Sequence, residues 1–219
     1  MFGPVGGVRI TTFTGDLSSL TTSGHMFYLC TNLTTFTSNL SSLVNGEGMF
    51  TECSKLTTFD CNDLSSLTDG AAMLANTALT SFTYDLCSLV NGDGMFSYCS
   101  NLTTFDADLR SLTNGSSMFS SCPKLKTFKS SLSSLTHGQY MFSGCSLSTE
   151  SLKNIAKTIN DLTINPYVQP RLGEGTAWID IDIENESPSD IELTFIEMIQ
   201  RKGWDVCVNG TVYNAIIEQ

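Results

Sequence analysis

Phe13, Phe36, Phe59, Phe82, Phe105 and Phe128 recur every 23 residues without a miss. A fixed period of this length marks a stacked-repeat solenoid, in which each unit buries its apolar side against its neighbours alone. The shared frame is F-x-x-x-L-x-S-L-x-x-G-x-x-M-F-x-x-C-x-x-L-x-x. A methionine column runs through Met26, Met49, Met73, Met95, Met118 and Met141. Phe27, Phe50, Phe96, Phe119 and Phe142 follow it, with Leu74 as the one substitute. The glycine column is Gly46, Gly70, Gly92, Gly115 and Gly138, with Ser23 in the first unit. One unit alone has no second layer to cover its apolar residues, so about three or more are needed. Six are present, enough for a continuous core.

Alternation places a strand at each phenylalanine. Positions 0, +2 and +4 point inward and +1 and +3 outward. Leu17, Leu40, Leu86, Leu109 and Leu132 occupy +4, and mostly small residues (Gly15, Ser38, Cys61, Ala107, Ser130) occupy +2. The outward set holds Thr12, Thr35, Thr58, Ser81, Thr104 and Thr127 before the Phe, then Thr14, Thr37, Asp60, Thr83, Asp106 and Lys129 after it. Threonine favours a pleated, half-exposed surface. The L-x-S-L pair reads as a short extended segment or a corner, and G-x-x-M-F-x-x-C as one helical turn facing the core. The third unit breaks register: Leu64 comes five residues after Phe59 instead of four, and a residue is lost before Leu79. A bulge is expected near Cys61–Asp63.

The run G-x-x-M-F-x-x-C-x-x-L-x-x-F, carried by Gly92, Met95, Phe96, Cys99, Leu102 and Phe105 and repeated six times over about residues 8–149, resembles the BspA-like, treponemal-type leucine-rich repeat. The F-x-x-x-L-x-S-L stretch departs from that family's usual middle, which often has Leu-Pro after the strand. The resemblance implies a right-handed solenoid with a parallel sheet. It also implies surface, secreted or phage-borne bacterial proteins that bind other molecules, and it offers no catalytic residue to carry over.

Residues 150–219 leave the 23-residue beat. Leu152, Ile155, Ala156, Ile159 and Leu162 have helical spacing from Thr149 onward, and Trp178–Ile183 alternates as a strand. Ser189 or Asp190 caps a second helix that stops at Gly203. A second strand, from Trp204, ends at Asn209-Gly210. Residues 163–177, with Pro166, Pro170, Gly173 and Gly175, read as a loop. The expectation is therefore an α/β chain with a solenoid over 1–149, closed over 150–219 by helix–strand–helix–strand. This end resembles the K-G-W-x-V-ending tails of similar bacterial and phage leucine-rich proteins. Val8-Arg9-Ile10 already looks like strand. No basic stretch followed by an apolar one is visible there as a signal peptide.

A net charge of −11 disfavours nucleic acid, whose phosphates require a basic face. Low charge with much Ser and Thr has an extracellular style, and no apolar run reaches the length of a membrane span. Cys30, Cys53, Cys99, Cys122 and Cys145 share one column. Side chains stacked in register run parallel and do not supply a disulfide's dihedral, so these read as buried thiols that pack as small apolar groups. No C-x-x-C pair supports zinc. His25 and His137 read as solvated surface residues, and no nucleophile–base arrangement exists, so neither a catalytic residue nor a cofactor is assigned.

The candidate binding residues are Thr37, Asp60, Asp63, Thr83, Tyr84, Asp85, Asp106 and Asp108, on the outward face of neighbouring strands. Their carboxylates suit a cationic partner or a calcium ion, set against a plain solvated sheet face. Tyr84 stands in an otherwise small column, either tipped outward as an anchor or accommodated inside a wider coil. Asp180, Asp182 and Glu184 read as the solvated side of one strand. The leading reading is a non-catalytic recognition module for a protein or glycan, at the cell surface or outside the cell, monomeric or weakly self-associating. The alternatives are a structural spacer and an enzyme.

Overall fold

The computed structural model describes residues 9–162, 178–184 and 187–216. The loop expected over 163–177 and the strand start at Val8 lie outside them, while Arg9 and Ile10 precede the first strand. Six short strands follow at the phenylalanines: β1 (Thr12–Phe13), β2 (Thr35–Ser38), β3 (Thr58–Cys61), β4 (Ser81–Phe82), β5 (Thr104–Phe105) and β6 (Thr127–Phe128). They pair in parallel with phenylalanine opposite phenylalanine, in two sheets ordered β1-β2-β3 and β4-β5-β6. The chain is an α/β leucine-rich-repeat solenoid.

Two phenylalanine spines run through the core. In one, Phe13, Phe36 and Phe59 stack with centroids 5.5 and 5.6 Å apart. In the other, Phe27 stacks on Phe50 at 5.2 Å, and Phe96, Phe119 and Phe142 follow at 5.7 and 5.6 Å. Rings of one spine meet the other edge-on, as between Phe36 and Phe50 at 4.7 Å and 72°. That offset favours the ring quadrupoles.

Each coil turns by hydrogen bonds of its own. In L-x-S-L the second leucine N–H returns to the first leucine carbonyl, as from Leu43 to Leu40 at 2.9 Å, so this segment is a tight corner. Next, Thr22, Asn45, Asp69, Asn91, Asn114 and His137 bridge coil to coil in parallel. Their spacing of 24 residues from Asn45 to Asp69 and 22 from Asp69 to Asn91 shows the third coil's insertion and its repayment.

The G-x-x-M-F-x-x-C stretch differs from the helical turn expected of it. Met49, Thr51 and Cys53 donate within their own coil, whereas Gly46, Gly48, Phe50 and Glu52 donate to Asp69, Ala71, Met73 and Ala75 of the next. A helix keeps every N–H for itself; alternation of this kind needs left-handed residues every fourth position, here Gly48 (φ 60°) and Glu52 (φ 66°). The leading glycine has another purpose. A Cβ on Gly46 would stand 2.7 Å from the Met73 sulfur, and one on Gly70 2.9 Å from that of Met95, so glycine admits the next coil's methionine.

The third coil also departs from expectation. β3 stays in register with β2 through Cys61, so no bulge forms within that pair; the chain bends at Asn62 and the sheet stops.

The chain after the sixth strand closes the stack. Gly138–Leu147 forms β7, pairing in parallel with β8 (Trp178–Ile183), and β8 pairs with β9 (Asp205–Val208). The helix α1 (Thr149–Thr158) starts at Ser148, and α2 (Asp190–Gln200) starts with a capping box between Ser189 and Glu192. A third strand, β10 (Thr211–Tyr213), was not expected. It folds back on β9 through Asn209 (φ 48°) and Gly210 (φ 79°), the left-handed pair of a two-residue hairpin.

Both closing layers replace carbonyls and amides of a coil that does not follow. On the strand side, Phe128 N donates to Ser151 Oγ at 2.9 Å, Ser151 Oγ to Lys126 O at 3.0 Å and Asn154 Nδ2 to Ser130 O at 3.0 Å. On the turn side, Tyr140 N and Gly144 N donate to the Oδ2 atoms of Asp180 (2.6 Å) and Asp182 (2.7 Å). In earlier coils the equivalent amides of Gly94 and Tyr98 reach Ser116 O and Ser120 O. Asp180 and Asp182 are thus structural acceptors and not merely solvated.

Asp180→Ala leaves the Tyr140 amide without its acceptor, and a loss of about 2 kcal/mol in urea unfolding is expected. Glu184→Ala, altering an exposed ion pair with Lys126, should cost under about 0.5 kcal/mol.

Candidate recognition face

The structure divides the eight candidate residues into three groups. Thr37, Asp60, Thr83 and Asp106 are exposed, one after each strand phenylalanine from β2 to β5. Thr37 and Asp60 stand directly opposite each other in the ladder. Threonine hydroxyls just before β2, β3 and β5 tie those coils to the ones behind, as from Thr34 to Thr11 O and from Thr103 to Thr80 O, both 3.0 Å.

Asp63, Asp85 and Asp108 form the second group and turn back on the chain. Their Oδ1 atoms accept the N–H two residues on, from Ser65, Cys87 and Arg110, each at 2.9 Å. Asp16 and Asn39 do the same for Ser18 and Ser41. This column therefore initiates the corner as an Asx turn. The Ser65 hydroxyl and amide hold the Asp63 carboxyl below its ordinary range, and the Arg110 guanidinium holds that of Asp108 low. A depressed carboxylate pKa stabilises the fold above the ordinary value and loses that share as pH falls through the depressed one.

Tyr84 is the third group. It is half-buried and accommodated, with its ring edge-on to Phe59 and Phe82 at 5.8 and 5.6 Å. Its hydroxyl accepts from Cys61 N and donates to Phe59 O, both at 3.2 Å, with Asp60 Oδ1 at 3.4 Å. Among the described residues no group of three or more His, Cys, Asp or Glu side chains could hold a metal ion. Three of the five carboxylates accept backbone N–H groups of turns, so the arrangement lends the calcium reading no support.

Sequence reasoning missed the asparagine ladder. Asn114 Nδ2 donates to Asn91 Oδ1 and Asn91 Nδ2 to Asp69 Oδ1, both at 3.0 Å, while each Oδ1 also opens a turn. The signal was an Asn or Asp before the column glycine in four units.

The eight cysteines are free. In the shared column the thiols of Cys53, Cys99, Cys122 and Cys145 donate to carbonyls of the preceding coil at 3.1–3.3 Å. Burial pushes Cys53 and Cys145 up to about 12. Where the third unit lacks this cysteine, Thr77 donates to Leu74 O at 3.0 Å.

The model of the BspA type leucine rich repeat region matches six copies over residues 8–103 and 90–165. The chain belongs to this family. The family's repeat regions are associated with protein recognition and adhesion, generally without catalysis, in surface or secreted proteins. The chain matches no curated protein and no solved structure. Among the described residues no helix is long and apolar enough to cross a membrane.

The division of carboxylates is testable. Asp63→Ala should cost about 1 kcal/mol by loss of its turn contacts, whereas Asp106→Ala should stay within about 0.5 kcal/mol; paired urea titrations measure both.

The thiols carry a pH signature. Their folded pKa is raised, so stability is full below the unfolded value near 9 and falls as pH rises toward the folded one. At pH 10 each of Cys53 and Cys145 should cost about 1 kcal/mol. Unfolding measured from pH 7 to 11 should show this slope, reduced in Cys53→Ala.

Proposed function

We propose that the chain is a non-catalytic recognition module, acting at a cell surface or outside the cell, whose sheet face contacts a protein or glycan. Residues 1–149 carry the contact surface and residues 150–219 close the stack. The observation that supports this reading is the row Thr37, Asp60, Thr83 and Asp106: exposed side chains on consecutive strands, none of them consumed by a turn. Paired parallel strands lie about 4.8 Å apart, so Thr37 with Asp60 and Thr83 with Asp106 form two closely spaced pairs of hydroxyl and carboxylate groups for one extended partner. Single contacts of this exposed kind are weak; a partner spanning several adds them. The carboxylates favour a cationic or donor-rich surface on that partner.

The test is an array of glycans and extracellular proteins probed with the chain and with an Asp60→Lys, Asp106→Lys double variant. Saturable binding that drops about tenfold or more in the variant is expected. Binding that survives the double reversal, or an array without a single saturable binder, overturns the reading.

A further inference from the structure

The third coil is irregular in three respects that coincide. β3 ends the first sheet and β4 opens the second, with no strand pairing between them among the described residues. The second phenylalanine spine is interrupted at the same level, where Leu74 stands between Phe50 and Phe96. The first spine crosses at Phe59–Phe82, its widest and most twisted step: 6.4 Å and 23°, against 5.5–6.2 Å and 7–15° elsewhere.

The other two ladders do not stop there. Asn45, Asp69 and Asn91 remain bridged, and Gly70, Ala72, Leu74 and Asn76 all donate to the fourth coil. One main-chain bond, from Ala78 N to Leu56 O at 3.1 Å, lies just before the strands. Alongside the strands themselves, the Tyr84 hydroxyl bridges the two coils. In the regular β4–β5 pair Asp106 N reaches Phe82 O at 2.9 Å; the counterpart carbonyl, that of Phe59, takes the Tyr84 hydroxyl instead.

We infer that the β3/β4 seam is a joint between two blocks of coils, latched by Tyr84. An intact line of hydrogen bonds on the asparagine and turn sides forms the axis, opposite a side without a ladder. Opening there breaks one phenol's bonds, the Ala78–Leu56 main-chain bond and the ring contacts of Phe59, Phe82 and Tyr84, whereas opening between any other neighbouring pair of strands breaks a strand ladder. The least costly sub-global motion of the stack therefore runs through this seam. It alters the distance between Thr37 and Asp60 on one block and Thr83 and Asp106 on the other, and so the curvature of that face. The joint exists whether or not the face binds anything.

Three forms of the full chain test it: the chain as it stands, Tyr84→Phe, and a regularised form. The last carries a copy of residues 36–58 in place of 59–81, together with Tyr84→Ser. Amide relaxation dispersion reports microsecond-to-millisecond motion. The expected result is exchange confined to residues 57–63 and 78–85 in the unaltered chain and absent from the regularised one. In Tyr84→Phe, hydrogen exchange at the Cys61 amide should speed up about fivefold or more while that of Asp106 stays unchanged. Motion spread evenly along the stack, or a Cys61 amide indifferent to Tyr84→Phe, overturns the joint. A Tyr84→Phe chain that fails to fold leaves the comparison of the other two decisive: equal dispersion in both refutes it.

Discussion

Each coil of this solenoid satisfies its main chain through the next one. A 23-residue turn of chain cannot close its own amides and carbonyls except at corners, so three ladders pass the remainder onward: the strand ladder, the asparagine ladder and the turn ladder. An unpaired buried amide is costly, so the arrangement is stable only where every step finds a successor. The phenylalanine spines follow from the same register, since parallel strands with Phe36 opposite Phe59 must also stack those rings. Where a step is lost, side chains take over the carbonyl's or the amide's duty. Ser151 and Asn154 do so on the strand side at the end of the stack, Asp180 and Asp182 on its turn side, and Tyr84 in the middle.

This explains what could be read from the residues beforehand. Anything set by translation was legible, because a column of identical side chains announces its common environment: the phenylalanine strands, the inward leucines, the buried thiols and the third coil's extra residue. What escaped was set by hydrogen-bond direction. Met-Phe followed by Cys has the same inward spacing in a helical turn and in a run of tight turns; periodicity cannot tell whether an N–H points along the coil or across it. The extra residue near Asp63 was located, but its consequence was a break toward the following strand, because β3 remained bound to β2 and the mismatch fell on the side still to be paired. The strand after Asn209-Gly210 was available from that dipeptide's preference for left-handed backbone, and the sequence reading ended the strand there without continuing it.

The candidate face was legible only in part, for a related reason. Alternation correctly sent Thr37, Asp60, Thr83 and Asp106 outward. It also grouped Asp63, Asp85 and Asp108 with them, although these sit where the strand ends and a corner begins. An aspartate at the mouth of a turn has its own backbone as the nearest donor, and the 2.9 Å contacts to Ser65, Cys87 and Arg110 show which partner wins. Tyr84 follows the same logic from inside. A large residue in a small column needs room, and Tyr84 stands where the ladder fails.

Translational symmetry also bears on the kind of chemistry such a surface supports. A catalytic centre needs unlike groups converging on one atom within about 3 Å. A regular stack does the reverse: it lays like groups in rows, one per coil, with side chains running parallel. Convergence can arise only where the repeat is broken, and at the break described here the phenol hydroxyl is spent on two backbone groups. The proposed recognition of an extended partner rests on these rows, where many shallow contacts would sum. The rows of like groups, and the parallel rather than convergent course of their side chains, are thus consequences of one geometric fact, the in-register stacking of the phenylalanine strands.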